Sequence, residues 1–271
     1  MHWVEAGAGD VVLLLHGFPE SWYSWRHQIA ALSRQYRVVA PDLRGYNETE
    51  AKGPYDAETL QQDVLALIAE LGETRVHLVA HDWGGAIGWL LAIKHQDAVR
   101  SFAACNIPHP ALLQKGLRRP RQLRRSWYVF AFQVPWLPER LLAFQGYHRL
   151  ASALINDCRP GTFTRDDVKQ FLAGWRRHGL GPAVNWYRAA VRHPARLGKP
   201  VPIVRAPTVL IWGEDDIALG KELTYGTEEL VEDFSVHYLP NTSHWVQQEQ
   251  PELVNQFLRA HLARAESRAD A

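Results

Sequence analysis

The tightest constraint on this chain lies at residues 76–86, VHLVAHDWGGA. An apolar run of β-type residues ends on a carboxylate, Asp82, with the small residues Ala80 and Gly84 two positions to either side. A helix-forming stretch follows at once. Strand, tight turn and helix in that order make a nucleophile elbow, whose strained turn lifts one side chain out of a sheet. Serine is the usual occupant, within G-x-S-x-G. Here it is Asp82.

The flanking sequence keeps the same rhythm. Residues 2–5 alternate weakly, which suits an edge strand or, in so short a start, none. Residues 11–15 are a continuous apolar run, as in a strand buried on both faces, and end at His16-Gly17-Phe18-Pro19. A helix over 21–34 starts at Ser21 as N-cap, and a second strand over 37–40 closes on PDLRGY. Leu60, Val64, Leu67, Ile68 and Leu71 form one stripe of a helix over 56–71 that Gly72 stops. The third strand covers 76–80, its helix 84–95, and a fourth strand 99–105.

Strands and helices in alternation imply parallel βαβ units. The alternation breaks off over 111–200, where Arg-rich, aromatic, helix-like pieces are cut by prolines. It resumes with a strand (208–212), a helix (221–231), a strand (234–239) and a helix (251–265). The expected fold class is therefore α/β: a mostly parallel, doubly wound core over 1–110 and 201–271, with a helical cap inserted at 111–200.

Charge divides the chain at the same borders. Residues 111–200 carry 17 Lys and Arg against 4 Asp and Glu, and the remainder carries 13 against 25. The bland reading of the basic cap is a solvated surface, or a match to the acidic core beneath it. The whole-chain charge of +1 gives no reason to expect nucleic acid or a membrane as partner. Cys105 and Cys158 form neither a disulfide framework nor a metal-ligand spacing. No leader-like start and no apolar run near membrane-spanning length is found. A soluble, cytoplasmic protein without metal or cofactor is expected.

Ligands of doubly wound sheets bind at the carboxyl ends of the strands. The residues found there are His16 to Pro19, Asp82-Trp83, Asp215-Asp216 and Ser243-His244. Nucleophile, acid and then His is the triad order of α/β-hydrolases. Taken together, HGFPESWYSW, PDLRGY, HDWGGAIGW, WGEDD and the SHW before QQEQPE resemble the epoxide hydrolase branch of that family, from Leu14 to Pro251. The resemblance implies an α/β-hydrolase core with a cap, and an enzyme that opens epoxides to vicinal diols.

The residues support that chemistry on their own terms. Asp82 is anionic at neutral pH and can attack an electrophilic carbon without a base, leaving an alkyl ester. His244 is then free to activate the water that hydrolyses the ester. The G-x-x-D spacing from Gly213 makes Asp216, rather than Asp215, the group that orients the imidazole. The backbone N–H groups of Phe18 and Trp83 stand where an oxyanion hole is built. A lone Asp after a strand is ordinarily a turn or cap residue. Ala80, Gly84, Asp216 and His244 around it favour the nucleophile.

In epoxide hydrolases two cap tyrosines point at the epoxide oxygen. Asn185-Trp186-Tyr187-Arg188 resembles the second of those motifs and Ser126-Trp127-Tyr128 the first, with Tyr147 as the substitute for Tyr128. A phenol donates while neutral and so suits a departing alkoxide. Phe18, Trp83, Trp127 and Trp186 are the expected substrate-binding side chains of an apolar pocket. His16, Asp42 and Arg44 are expected to hold loops. Two departures from the family pattern, Asn47 and Asn241, stand where Gly is usual, and Asn tolerates a positive φ best after Gly.

The nearest rival is a haloalkane dehalogenase, which shares the Asp nucleophile and His base, but it often carries Asn where Phe18 stands. A different class is a catalytically silent fold that binds ligands or partners, which the intact set of Asp82, Asp216, His244 and tyrosines disfavours. The expected partners are a small apolar epoxide and water, and a homodimer is compatible with the sequence.

Overall fold

In the computed structural model, which describes residues 1–269, the apolar runs become seven strands. They are β1 (Trp3–Ala6), β2 (Val11–Leu15), β3 (Arg37–Pro41), β4 (Val76–His81), β5 (Val99–Cys105), β6 (Thr208–Gly213) and β7 (Phe234–Leu239). They form one sheet in the order β1-β3-β2-β4-β5-β6-β7. Only the edge strand β1 is antiparallel to its neighbour. β3 lies on one side of β2 and β4 on the other, so the winding reverses between β2 and β4. The loops after those two strands, which hold Phe18 and Asp82, therefore flank the crevice where such folds bind ligands.

Every residue of β2, β4 and β6 is buried, because helices cover both faces of the sheet. Leu13, Leu15, Leu78 and Ala80 pack with α2 (Ala57–Glu70) and α3 (Asp82–Lys94). Val12, Leu14 and Val79 point the other way, toward α1 (Arg26–Leu32) and the last helix, Pro251–Ala269. Strand alternation thus divides one apolar run between two cores. α2 begins where the Asp56 carboxylate accepts from the Thr59 N–H at 3.1 Å, and Gly72 follows its end at φ +80°. Its stripe of Leu60, Val64, Leu67 and Ile68 is buried, worth about 2 kcal/mol per side chain.

Between β5 and β6 the chain is helical: α4 (Pro110–Gly116), α5 (Pro120–Arg125), α6 (Trp127–Ala131), α7 (Leu137–Ala143), α8 (His148–Asp157), α9 (Arg165–His178) and α10 (Gly181–Arg192). Pro110, Pro120, Pro138 and Pro182 stand in first turns, where a missing N–H costs nothing. Three of the prolines that break the sequence pattern, Pro120, Pro138 and Pro182, are therefore helix starts. After β7 come α11 (Val246–Glu249) and α12 (Pro251–Ala269).

One expected helix does not form. Residues 221–231 make two short 3-10 turns, Lys221–Leu223 and Thr227–Glu229, with Gly226 at φ +91° between them. Thr224 donates its hydroxyl to the Lys221 carbonyl and Thr227 its own to the Thr224 carbonyl. Such back-bonding competes with helix propagation. Among the described residues no helix is long and apolar enough to cross a membrane.

Candidate active site

Asp82 has φ +47°, a left-handed backbone that costs a non-glycine residue about 1–3 kcal/mol. The strain is maintained by close backbone packing. The Gly84 N–H donates to the His16 carbonyl at 3.0 Å, which joins the start of α3 to the end of β2. A Cβ on Gly84 would lie 2.4 Å from that oxygen, and one on Gly17 would lie 2.4 Å from the Cβ of Asp82. The small residues of the motif are thus sterically required. Gly84→Ala is expected to cost about 3 kcal/mol, read as a lower midpoint of chemical unfolding with full-length protein.

The acid, the base and the nucleophile meet at this point. His244 Nδ1 lies 2.7 Å from Asp216 Oδ2, and its Nε2 lies 3.5 Å from Asp82 Oδ2. The other carboxylate oxygen of Asp82, Oδ1, accepts from the Phe18 N–H at 2.8 Å. The Trp83 N–H lies in the first turn of α3, where backbone N–H groups have no intrahelical partner. Asp216 Oδ1 accepts from the Ala218 and Leu219 N–H groups, both at 2.8 Å.

Burial on its own would raise the pKa of both carboxyls. For Asp82 the hydrogen bond and charge of His244, with the Phe18 N–H, outweigh it and hold the group below its ordinary value. For Asp216 the charge and hydrogen bond of His244, then Asn106 and Leu219, do the same. Burial disfavours charge on His244, but Asp216 and Asp82 together lift its pKa well above the usual imidazole range.

Tyr128 and Tyr187 stand across from the nucleophile. Asp82, Tyr128 and Tyr187 line one cavity, whose walls are otherwise mostly apolar and include Ala86, Ile107, Leu113 and Val129. The two phenol rings lie 5.9 Å apart, edge to face, and Trp83 packs on Tyr187 at 4.8 Å. Burial and the negative charge of Asp82 raise both phenols above their ordinary value, so both remain neutral donors at any physiological pH. Tyr147 packs instead on Trp175, at 6.1 Å, away from this cavity.

Three of the expected substrate contacts stand outside the lining of this cavity. Trp127 is 67% exposed and faces outward, and Trp186 is buried against Tyr46 and Trp83 with its N–H on the Arg44 carbonyl. Each follows or precedes a cavity tyrosine on a helix, and consecutive helical residues diverge by about 100°. The ring of Phe18 packs on Tyr187 and Phe132 and does not line the cavity, although its N–H is on Asp82. Trp83 does line it.

His16, Asp42 and Arg44 hold loops as expected. His16 Nε2 accepts from the Leu43 N–H and its Nδ1 faces the Gly17 carbonyl. Asp42 accepts from the Trp22 N–H and Asn47, and Arg44 pairs with Asp63. Asn47 and Asn241 have φ of +42° and +52°, the conformations for which Asn replaces Gly.

Two supports were not anticipated. Asn106, at φ +41° just after β5, donates to Asp216 Oδ2 at 2.7 Å and accepts from the Gly213 N–H at 2.8 Å. Its position at a strand end was the available signal. The buried Glu20 accepts from the Gly17 N–H, Gln247, Gln248 and His81, and the far nitrogen of His81 lies 3.0 Å from the His244 carbonyl. This network ties the loops of the nucleophile and the base together.

An aspartate on a strained strand–helix turn, answered by Asp216 and His244 in that chain order, is the site arrangement of an α/β-hydrolase with a carboxylate in the elbow. The sequence profile of the α/β hydrolase fold matches residues 10–251. The chain is 37% identical to epoxide hydrolase 3 of Xenopus tropicalis over 96% of its length and 74% of that protein's. It is 36% identical to the AB hydrolase superfamily protein YfhM of Bacillus subtilis, over 97% and 94%. The crystal structure of an epoxide hydrolase from Bacillus megaterium in complex with an inhibitor superimposes with a TM-score of 0.90 at 31% identity, covering 97% and 96% of the two chains. The chain belongs to the α/β-hydrolase family, in its epoxide hydrolase branch.

Proposed function

We propose that the protein hydrolyses small apolar epoxides to vicinal diols through a covalent ester on Asp82. One juxtaposition carries this: a carboxylate in the elbow and two neutral phenols share a single, mostly apolar cavity. Residues 111–200 act as the cap and residues 1–110 with 201–271 as the catalytic core. Two free, buried thiols, Cys105 and Cys158, suit a reducing, cytoplasmic setting.

In the first step Asp82 Oδ2, which lacks the backbone donor that Oδ1 has, attacks a ring carbon. The carbon–oxygen bond of the epoxide breaks, and Tyr128 and Tyr187 donate to the oxygen as charge builds on it. In the second step His244 removes a proton from water, which attacks the ester carbon. The negative oxygen that forms is Oδ1, already on the Phe18 N–H, with Trp83 beside it; each such donor is worth about 3–4 kcal/mol. The bond from the ester carbon to Oδ2 then breaks, and Oδ2 leaves as a diol oxygen that takes the proton His244 drew from water, while the water's other proton, left on the new carboxyl, replaces the one given to the ring oxygen.

That bookkeeping fixes an isotope test. A single turnover in heavy-oxygen water is expected to label Asp82 and leave the diol unlabelled, read by mass spectrometry of peptide and product. Label in the first-turnover diol would mean direct attack by water. Halide release from a haloalkane with no diol formed from any epoxide would make the reaction a dehalogenation.

A further inference from the structure

We propose that the outer face of the cap is a docking surface for anionic lipid membranes, and that the catalytic cavity opens onto it. Sixteen large apolar side chains are exposed among the described residues, and nine of them fall within residues 117–144. Scattered exposed leucines are ordinary, but a concentration of this kind is a contact surface. Trp127 is 67% exposed, Trp136 63% and Leu141 65%, values that a side chain packed in the cap would not have.

These residues turn away from the cap's own core. The inward residues of α6 and α7, among them Tyr128 and Leu142, meet in a single cluster around Phe132, Val184 and Tyr187. The exposed faces of both helices therefore look outward from that cluster. On α7 and its exit, Leu137, Leu141 and Phe144 recur at helical spacing, and Trp127 and Phe130 do so on α6.

Charge identifies the occupant. Residues 114–149 hold eight Lys and Arg and a single acid, Glu139, whose carboxylate is engaged by Arg188. Arg177 does reach Glu48 of the core, in the charge match expected of cap and core. Arg118, Arg119 and Arg124 instead stand exposed without an ion pair among the described residues. Arg140 lies over the Trp136 ring at 5.1 Å and Arg149 over Phe144 at 5.7 Å, so cations and rings occupy the same level. A second copy docked face to face would set eight cations against eight. An anionic membrane accepts both parts, with phosphates for the guanidinium groups and an apolar zone just below for the rings.

The cavity that holds Asp82 is also lined by Leu117, Phe130 and Val191, all three exposed, which places its mouth at this patch. A lipid-dissolved substrate would pass into it without crossing water. Docking itself does not depend on the reaction proposed above and is measured without turnover.

The test is flotation of the full-length protein with vesicles of phosphatidylcholine alone or with about one-third phosphatidylglycerol. Partition onto the anionic vesicles is expected to exceed that onto neutral ones by about tenfold at low salt, and to fall in high salt as screening predicts. The triple variant Trp136→Ser, Leu141→Ser, Phe144→Ser and the triple variant Arg118→Glu, Arg119→Glu, Arg124→Glu should each lose about tenfold, with unfolding midpoints unchanged. The wild-type tryptophan emission should shift to the blue on anionic vesicles, which needs no variant. Equal partition onto both vesicle types, or none, overturns the proposal. So does a dimer in light scattering that the serine substitutions disperse, since the face would then belong to a second copy.

Discussion

His244→Gln is expected to abolish turnover while leaving the protein trapped as a stable ester, heavier by the mass of one epoxide. Glutamine can occupy much of the imidazole's space but cannot accept a proton from water. Ring opening needs Asp82 as an anion, which the Phe18 N–H continues to favour in the variant although the charge of His244 is lost. Hydrolysis of the ester needs the base, and its loss should slow that step by about 10²–10⁴-fold. In the resting site Asp216 and Asp82 together hold a proton on His244 against the penalty of burial. Esterification neutralises Asp82 and removes one of those two anions, so the pKa of His244 falls once the base is needed. The pH dependence follows in sign. Opening persists into acid, because the Asp82 carboxyl is held below its ordinary value, whereas hydrolysis is lost as falling pH protonates His244 in the alkyl-enzyme. Intact-protein mass spectrometry after mixing with an epoxide checks the adduct. No adduct with an epoxide, together with one from a chloroalkane, would reassign the reaction.

The parts of this site that could be read from sequence were those set by local chemistry. The elbow declared itself because an apolar run, a carboxylate and two small residues are adjacent in the chain, and the contacts of Gly84 explain why the small residue is needed. Asp216 was separated from Asp215 by spacing, and the hydrogen bond to His244 goes to Asp216. Asn47 and Asn241 could be read as stand-ins for glycine because backbone sterics are a local matter. What escaped was decided at long range. Asn106 matters through Asp216, 110 residues away, and Glu20 through Gln248, 228 residues away. Neither pairing leaves a local trace. Trp127 and Trp186 stand outside the cavity lining for a third reason: a helical neighbour of a site tyrosine points about 100° away from it, and long-range packing decides whether it reaches the same space. The basic charge of residues 111–200 could be counted from sequence, whereas which of their apolar side chains stand exposed is decided by packing.

Replacing both phenols, Tyr128→Phe with Tyr187→Phe, is expected to slow ring opening by about 10⁴-fold, against about 10²-fold for Tyr187→Phe alone. An epoxide oxygen leaves as an alkoxide, and besides the two phenols the side chains lining the cavity offer only the Trp83 indole and the Ser126 hydroxyl, which is bonded to Gln122. Water in the cavity can replace one phenol in part but not two held at fixed positions, so the double variant falls further than either single one. Each substitution removes one oxygen from a ring that still packs on its neighbours, Phe132 and the partner tyrosine among them, so the fold survives. The later step separates chemistry from structure. Ester hydrolysis uses Asp216, His244 and the N–H groups of Phe18 and Trp83, and its rate from a preformed adduct should be unchanged. The pH profile provides a second readout. Burial and the charge of Asp82 raise both phenols, so each keeps its proton above the ordinary phenol range, and wild-type ring opening should stay level through pH 10. Rapid-quench measurement of ester formation in the wild type, the two single variants and the double variant checks all of this. Unchanged opening in the double variant would make the tyrosines cap core and leave the alkoxide to some other donor.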